Sequence, residues 1–208
     1  MIRPGEEWGE LAEIPSDTPV VTGDAALADF VREADAAFAG DDSDLLPLVA
    51  LAGGDLCRTL GGRGDVDARL GEIGPIAAVD IGRARLDDDV EVLFVAHLVA
   101  RRPLWRGSFA VVMNAGFLGP LRLAPRGHPG DGRFDLTEGS LPWRERLIAR
   151  NRARTGDHLP HPGLRTRRIA AARLDLDRPM DVHVDGRRHR KAHSIDISRH
   201  PRRVLVAV

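Results

Sequence analysis

Leu48-Val49-Ala50-Leu51-Ala52-Gly53-Gly54-Asp55-Leu56-Cys57-Arg58-Thr59-Leu60-Gly61 is the stretch from which the fold is read. Leu48 to Leu51 make a short strand of buried type, Gly53-Gly54-Asp55 a tight turn, and the residues through Leu60 a helical turn. Upstream the pattern repeats. Thr18 to Val21 read as a strand ending at Thr22-Gly23-Asp24, and the next fifteen residues place Leu27, Phe30, Val31, Ala34 and Phe38 at helical spacing, with Asp24 suited to the N-cap. Gly40-Asp41-Asp42-Ser43-Asp44 is the loop between the two copies. Strand, helix, strand, helix predicts a right-handed parallel α/β unit.

Beyond Gly74-Pro75 the period changes. Runs at Ala77 to Leu86, Glu91 to Val99 and Ser108 to Asn114, separated by turn residues, predict antiparallel sheet. One helix interrupts it, with Ser140 as the expected N-cap and Trp143, Leu147 and Ile148 within it. Strands are expected again over Arg167 to Leu176, Met180 to Val184, Ser194 to Ser198 and Val204 to Val208. The fold class is therefore α+β, divided into residues 1–75 and 76–208.

Charge follows the same division. Residues 1–75 hold 16 acids against 5 arginines, whereas residues 76–208 hold 15 acids against 25 bases, so a net charge of −1 conceals parts of −11 and +10. After Ser140 there are 17 bases and 7 acids. Such polarity suits attraction between the two parts, or contact of the basic end with an anionic surface such as phospholipid headgroups, or simply a solvated basic face. No apolar run approaches the ~20 residues of a membrane-spanning helix, and the acidic start MIRPGEEWGELAE lacks the pattern of a secretory leader, so a cytoplasmic location is expected.

Cys57, the single cysteine, excludes an internal disulfide and a cysteine-built zinc site. His158 and His161, or His189 and His193, have metal-compatible spacings, but no carboxylate pattern accompanies them and exposed histidines are the expectation. The two Gly-Asp turns stand at the C-terminal ends of the parallel strands, where α/β sheets place ligands and free N–H groups receive phosphate. The same residues also serve plain turn and cap duties.

In order along the chain these residues resemble the diacylglycerol kinase and sphingosine kinase family. LVALAGGDLCRTLG is similar to that family's G-T-G-N-D-[LF]-A-R-x-L-G, with Asp55, Arg58, Leu60 and Gly61 matching. Val20-Val21-Thr22-Gly23-Asp24-Ala25-Ala26 stands where the family has its nucleotide loop G-G-D-G-T. Asn114-Ala115-Gly116-Phe117-Leu118-Gly119, then Ala124-Pro125, then Gly130-Asp131-Gly132-Arg133-Phe134-Asp135 resemble N-[AG]-x-x-x-G, A-P and [DN]-D-G-x-L-D. Val184-Asp185-Gly186 stands at V-D-G-E. The resemblance covers roughly residues 19–208. It implies an N-terminal α/β domain carrying ATP at Gly23, Asp24, Gly53, Gly54 and Asp55, and a C-terminal antiparallel β-sandwich shaping a lipid pocket. It also implies Asp185 as general base, Asp131 at a structural divalent-ion turn, and Mg²⁺ as partner of the nucleotide.

The departures are as specific. The nucleotide loop keeps one glycine and the aspartate, the Thr and Asn of G-T-G-N-D are gone, and Arg187 replaces the glutamate of D-G-E. Only about eighteen residues precede the first strand, against several α/β elements in the family. Phosphoryl transfer rests on positioned donors and cations, and losing one such donor costs roughly a hundred- to a thousandfold in rate. The expected function is ATP-dependent phosphorylation of a diacylglycerol-type lipid, weakened or lost; the alternative is a non-catalytic lipid- or partner-binding protein on the same fold. The expected partners are a lipid, an anionic membrane surface met peripherally and a second copy of the chain, with no nucleic acid. A short parallel sheet leaves an edge to cover, and Met1 to Asp17 or that second copy is expected to pack across it.

Overall fold

The computed structural model describes residues 9–208. β1 (Glu10–Glu13) and β2 (Val20–Thr22) precede α1 (Asp24–Ala37), β3 (Leu45–Ala52) and α2 (Gly54–Thr59). β4 (Ile73–Leu86), β5 (Val90–Phe94), β6 (His97–Arg101) and β7 (Ser108–Met113) follow, then a small hairpin of β8 (Phe117–Leu118) and β9 (Leu121–Arg122). β10 (Phe134–Ser140), α3 (Trp143–Arg152), β11 (Leu164–Ile169), β12 (Ala171–Val184) and β13 (Arg187–Ala207) complete the chain. The architecture is mostly antiparallel sheet with few helices.

β2 runs parallel to β3, with Val21 opposite Leu51, and β3 runs parallel to the end of β13, with Val49 opposite Val206. The far end of the chain thus returns to the sheet that carries both Gly-Asp turns. On its other side the same part of β13 pairs antiparallel with β4. α1 and α2 close this layer, burying Leu27, Val31, Leu56 and Cys57 against Val79, Ile81, Val204 and Val206.

β4 and β13 are long because each serves two cores. Val79 and Ile81, with Val204 and Val206, belong to the first; Ala84 and Leu86, with Ile195 and Ile197, belong to the second. The strands expected separately over Arg167 to Leu176, Met180 to Val184, Ser194 to Ser198 and Val204 to Val208 become β11 and two continuous strands. The apparent breaks are register shifts, between Asp175 and Met180 in β12 and between Arg199 and Arg203 in β13. Pro179 and Pro201 fall inside these shifts, where a residue without an N–H interrupts no ladder bond.

The second core shows how the sheet curls. Strand order runs β4-β13-β12-β6-β7-β10, and β5 lies beside β4. Phe94 of β5 nevertheless meets Phe134 of β10, ring centroids 5.2 Å apart. The sheet has folded over onto its own inner face. Gly82 makes this closure possible, since a Cβ there would lie 2.0 Å from the Phe94 ring.

Three local expectations need correction. The run Glu91 to Val99 is two strands, broken at Val95 and Ala96 because the N–H groups of residues 95, 96 and 97 turn to a buried carboxylate. α3 begins at Trp143 after Pro142, not at Ser140, which is the last residue of β10 and pairs with Ser108. Among the described residues, the part of the N-terminal segment that forms a strand does not lie on the parallel edge. Residues 1–8 lie outside the described residues, and Glu10 to Glu13 pair with Ile73 to Ile76 of β4, across the sheet from β2. The outer edge of β2 has no partner strand among the described residues.

Candidate functional site

Gly23 and Gly53 occupy the same place in the two strand-turn-helix copies. Both have φ of 82°, both precede their helix as the N-cap residue, and at both a Cβ would meet nothing within 4 Å. Asp24 is the first residue of α1 and not its N-cap. Its carboxylate instead crosses to α2, accepting the N–H of Asp55 at 2.7 Å and of Leu56 at 3.0 Å. Those are the groups that lack partners at the start of a helix, so Asp24 caps its neighbour's helix and joins the two turns. Gly54 must be glycine for this contact: its φ is +94°, and a Cβ would stand 2.5 Å from the Asp24 Oδ1. Burial pushes the Asp24 carboxyl above the usual carboxylate range, against the two N–H bonds that pull it down.

Asp55 points out of α2 toward β6 and the small hairpin. Its Oδ2 lies 3.1 Å from Nε2 of His97 and accepts the Gly119 N–H at 2.8 Å. Burial opposes ionisation of Asp55, but the bonds from His97 and Gly119 and the nearby charges of His97 and Arg58 prevail, and its carboxyl sits below the usual range. His97 answers in the opposite sense. Burial resists its protonation, yet the Asp55 bond and the charges of Asp185, Asp55 and Asp24 raise the imidazole above its ordinary value. Its Nδ1 is buried without a hydrogen-bond partner among the described residues.

Asp185 sits in the β12–β13 hairpin turn with φ of 47°, followed by Gly186 at 82°, the left-handed pair such two-residue turns need. Its carboxylate faces inward and accepts the N–H groups of Val95, Ala96 and His97, each at 2.9 Å. Burial pushes this carboxyl up to about 6. A general base must reach the proton that it abstracts; this carboxylate is enclosed and bonded to three backbone N–H groups at the bend before His97. Arg187 is engaged by Asp29 of α1.

Asp131 is placed apart from this cluster, paired with Arg168 and accepting the Arg133 N–H at 3.1 Å. Arg168 also lies 3.8 Å from Asp135, so its guanidinium stands between both carboxylates of this turn. The set of three ligand-bearing side chains that comes together among the described residues is Asp24, Asp55 and His97, with donor atoms all within 4.8 Å. Two carboxylates and one imidazole suit Mn²⁺ or Zn²⁺ as well as the carboxylate-bound Mg²⁺.

His97 carries no motif signal. The hint lies in its setting, a histidine inside the apolar run Leu93 to Val99, at the start of a strand buried on both faces. The expectation of exposed histidines fails at His158, which is 5% exposed with an unpartnered Nδ1.

A cavity of about 670 Å³ opens on the other side of the small hairpin. Val111, Leu118, Leu121, Leu123, Leu141 and Leu164 form much of its wall, and α3 lies over it. The hairpin has two roles at once. Phe117 packs beneath the Arg58 guanidinium and Gly119 binds Asp55, while Leu118 and Leu121 line the cavity.

Known structures share this arrangement of sheet and helices. Three solved structures from Bacillus anthracis str. Sterne, one described as a diacylglycerol kinase and two given that assignment provisionally, align with this chain at TM-scores of 0.55, 0.57 and 0.62. This chain has the fold of the diacylglycerol kinases. The alignments cover 90, 91 and 90% of it and 75, 78 and 77% of the three structures, at 13, 12 and 12% identity. No protein family's sequence profile matches the chain, and no curated protein does. On this diacylglycerol-kinase-like fold the two Gly-Asp turns, the Asp55–His97 pair and the apolar cavity lie on adjoining elements.

Proposed function

We propose that this is a lipid-kinase-like protein whose cavity holds the acyl part of a diacylglycerol-type lipid and whose Asp55–His97 pair meets its hydroxyl end. The observation that carries this reading is the β8–β9 hairpin, which lines the apolar cavity with Leu118 and Leu121 while Gly119 binds Asp55. Asp55, its carboxylate held ionised by the bonds from His97 and Gly119, accepts the proton of a hydroxyl brought to it, and His97 orients that carboxylate. Asp185 holds the bend beneath His97.

A nucleotide fits one of the two helix heads. At α2 the Asp24 carboxylate already occupies the N–H groups that a phosphate would take, whereas the head of α1 has no side-chain cap and open space at Gly23. ATP held there, with Mg²⁺ on the Asp24 and Asp55 oxygens, would supply the phosphoryl group. The occupied head of α2 is a specific observation in favour of a second reading, a lipid-binding protein without transferase chemistry.

Incubation with γ-labelled ATP, Mg²⁺ or Mn²⁺ and dioleoylglycerol in mixed micelles separates the two. Label in the lipid, lost in Asp55→Asn at an unchanged melting temperature, supports the kinase; lipid binding with neither label transfer nor calorimetric heat from ATP establishes the second reading. Asp24→Ala is unsuited to this test because Asp24 also holds α2. Among the described residues no helix is long and apolar enough to cross a membrane. Access to the lipid is proposed through peripheral contact with an anionic surface, and the open edge of β2 is where a second copy would add, a point that light scattering decides.

A further inference from the structure

The cavity walls are apolar, but its charged lining is all of one sign. Arg106, Arg146 and Arg150 line it beside His158, whose imidazole burial holds below its ordinary value, and no aspartate or glutamate does. Two of these side chains carry buried atoms with no hydrogen-bond partner among the described residues, Nε of Arg146 and Nδ1 of His158. Buried polar groups are nearly always satisfied, and an orphan calls for a missing partner. Arg146 is already held in place by its bond to the Leu104 carbonyl at 2.6 Å, so its unused Nε–H is a fixed donor on the cavity wall. Arginine has no acceptor capacity, and its missing partner is therefore an acceptor.

Thr137 is the remaining polar lining residue, and its hydroxyl is shared with Thr166 at 3.1 Å. A neutral glyceride would leave three guanidinium groups around an apolar hollow without a counter-charge. We infer that the cavity takes an acyl-chain amphiphile bearing an anionic group, a carboxylate or a phosphate monoester, with the chain against the leucine wall and the anion at Arg146, Arg150 and His158. This rests on reading the cavity as a lipid site, and it goes further by making the ligand acidic. Guanidinium groups recognise either anion through charge-assisted hydrogen bonds.

Trp105 and Trp143 both line the cavity, and the chain has three tryptophans in all, so intrinsic fluorescence reports occupancy. The probes are oleate, oleoyl lysophosphatidate, monooleoylglycerol and inorganic phosphate, each titrated below its aggregation threshold. Expected is binding of one or both acidic lipids about ten- to a hundredfold tighter than monooleoylglycerol, the range of one charge-assisted hydrogen bond. The better acidic probe tells a carboxylate from a phosphate ligand. Arg146→Gln and the exposed Arg150→Gln should each reduce that acidic-over-neutral preference, and Arg150→Gln serves if Arg146→Gln fails to fold. Equal affinity for acidic and neutral lipids overturns the inference alone, as does inorganic phosphate binding as tightly as the acidic lipids. Failure of every lipid to bind overturns both it and the lipid reading of the cavity.

Discussion

Asp24 accepts the backbone N–H of Asp55 at 2.7 Å, across 31 residues of sequence, so that an aspartate at the head of one helix serves the head of the next. The pair fixes the spacing of the two Gly-Asp turns. Asp24→Ala should orphan the N–H groups of Asp55 and Leu56 and lower stability by about 1–3 kcal/mol, measured by urea unfolding. Gly54→Ala should also destabilise, because its methyl meets the Asp24 carboxylate and its φ is +94°. In the Asp24→Ala background the clash with the carboxylate disappears while that with the residue-24 backbone N, at 2.9 Å, remains, so a double-mutant cycle should show partial coupling. Strict additivity would mean that the two positions do not interact.

Asp185 gives a pH prediction with a defined sign. Its carboxyl, pushed up to about 6 by burial, holds a proton more tightly folded than unfolded, where ~3.9 is usual. The native state is therefore favoured below about pH 4, and that advantage is lost as pH rises to about 6. A carboxyl that moves from ~3.9 unfolded to about 6 folded contributes roughly 3 kcal/mol at the acid end of this window. Relative to Asp185→Asn, the wild type should lose stability over this window, while both stay parallel above it. A difference that is flat from pH 4 to 6 would show that the carboxylate does not titrate there.

Gly82 and Phe94 carry the closure of the curled sheet. Gly82→Ala places a methyl in the Phe94 ring and should cost about 1–3 kcal/mol by overpacking. Phe94→Leu in the same chain should recover part of that loss. No recovery would place the strain in the β4 backbone.

Much of the fold was legible because its signals are local. The Gly-Asp turns mark the ends of β2 and β3, and the repeat of apolar strand, turn and helix predicted their order. The motif order from Val20 to Gly186 also led to the diacylglycerol-kinase-like fold. What stayed hidden depends on distant parts of the chain meeting. Nothing near Asp24 says that its oxygens serve α2, since an aspartate after a glycine fits a cap of its own helix equally well. The break at Val95 and Ala96 is set by Asp185, about ninety residues away, and cannot be read from the apolar run Glu91 to Val99. His97 lay in that same run and carried no motif. The β13 pairing with β3 and the burial of His158 are likewise products of long-range packing.

α3 supplies the last prediction, which concerns the membrane surface. Trp143, Leu147 and Ile148 are 61, 56 and 53% exposed, and Leu104, beside the helix through its bond from Arg146, is 72% exposed. Large apolar side chains gathered in this way on a protein surface mark a contact site. Arg144, Arg150 and Arg152 lie on the same helix, and the cavity opens beneath it. Tryptophan and leucine entering the interface beside arginines that meet anionic headgroups would hold such an exposed apolar patch on a membrane surface. Each arginine near such a surface contributes about 1 kcal/mol. The protein should therefore sediment with vesicles containing phosphatidylglycerol more than with phosphatidylcholine alone, and less so at high salt. Ile148→Glu, exposed and away from the cavity lining, and Leu147→Glu, exposed where it lines the cavity, should each reduce sedimentation with anionic vesicles. Arg144→Glu should abolish part of the preference for anionic over neutral lipid. Equal sedimentation with both vesicle types, or full binding by the Leu147→Glu/Ile148→Glu pair, would show that α3 is not the face that meets the membrane.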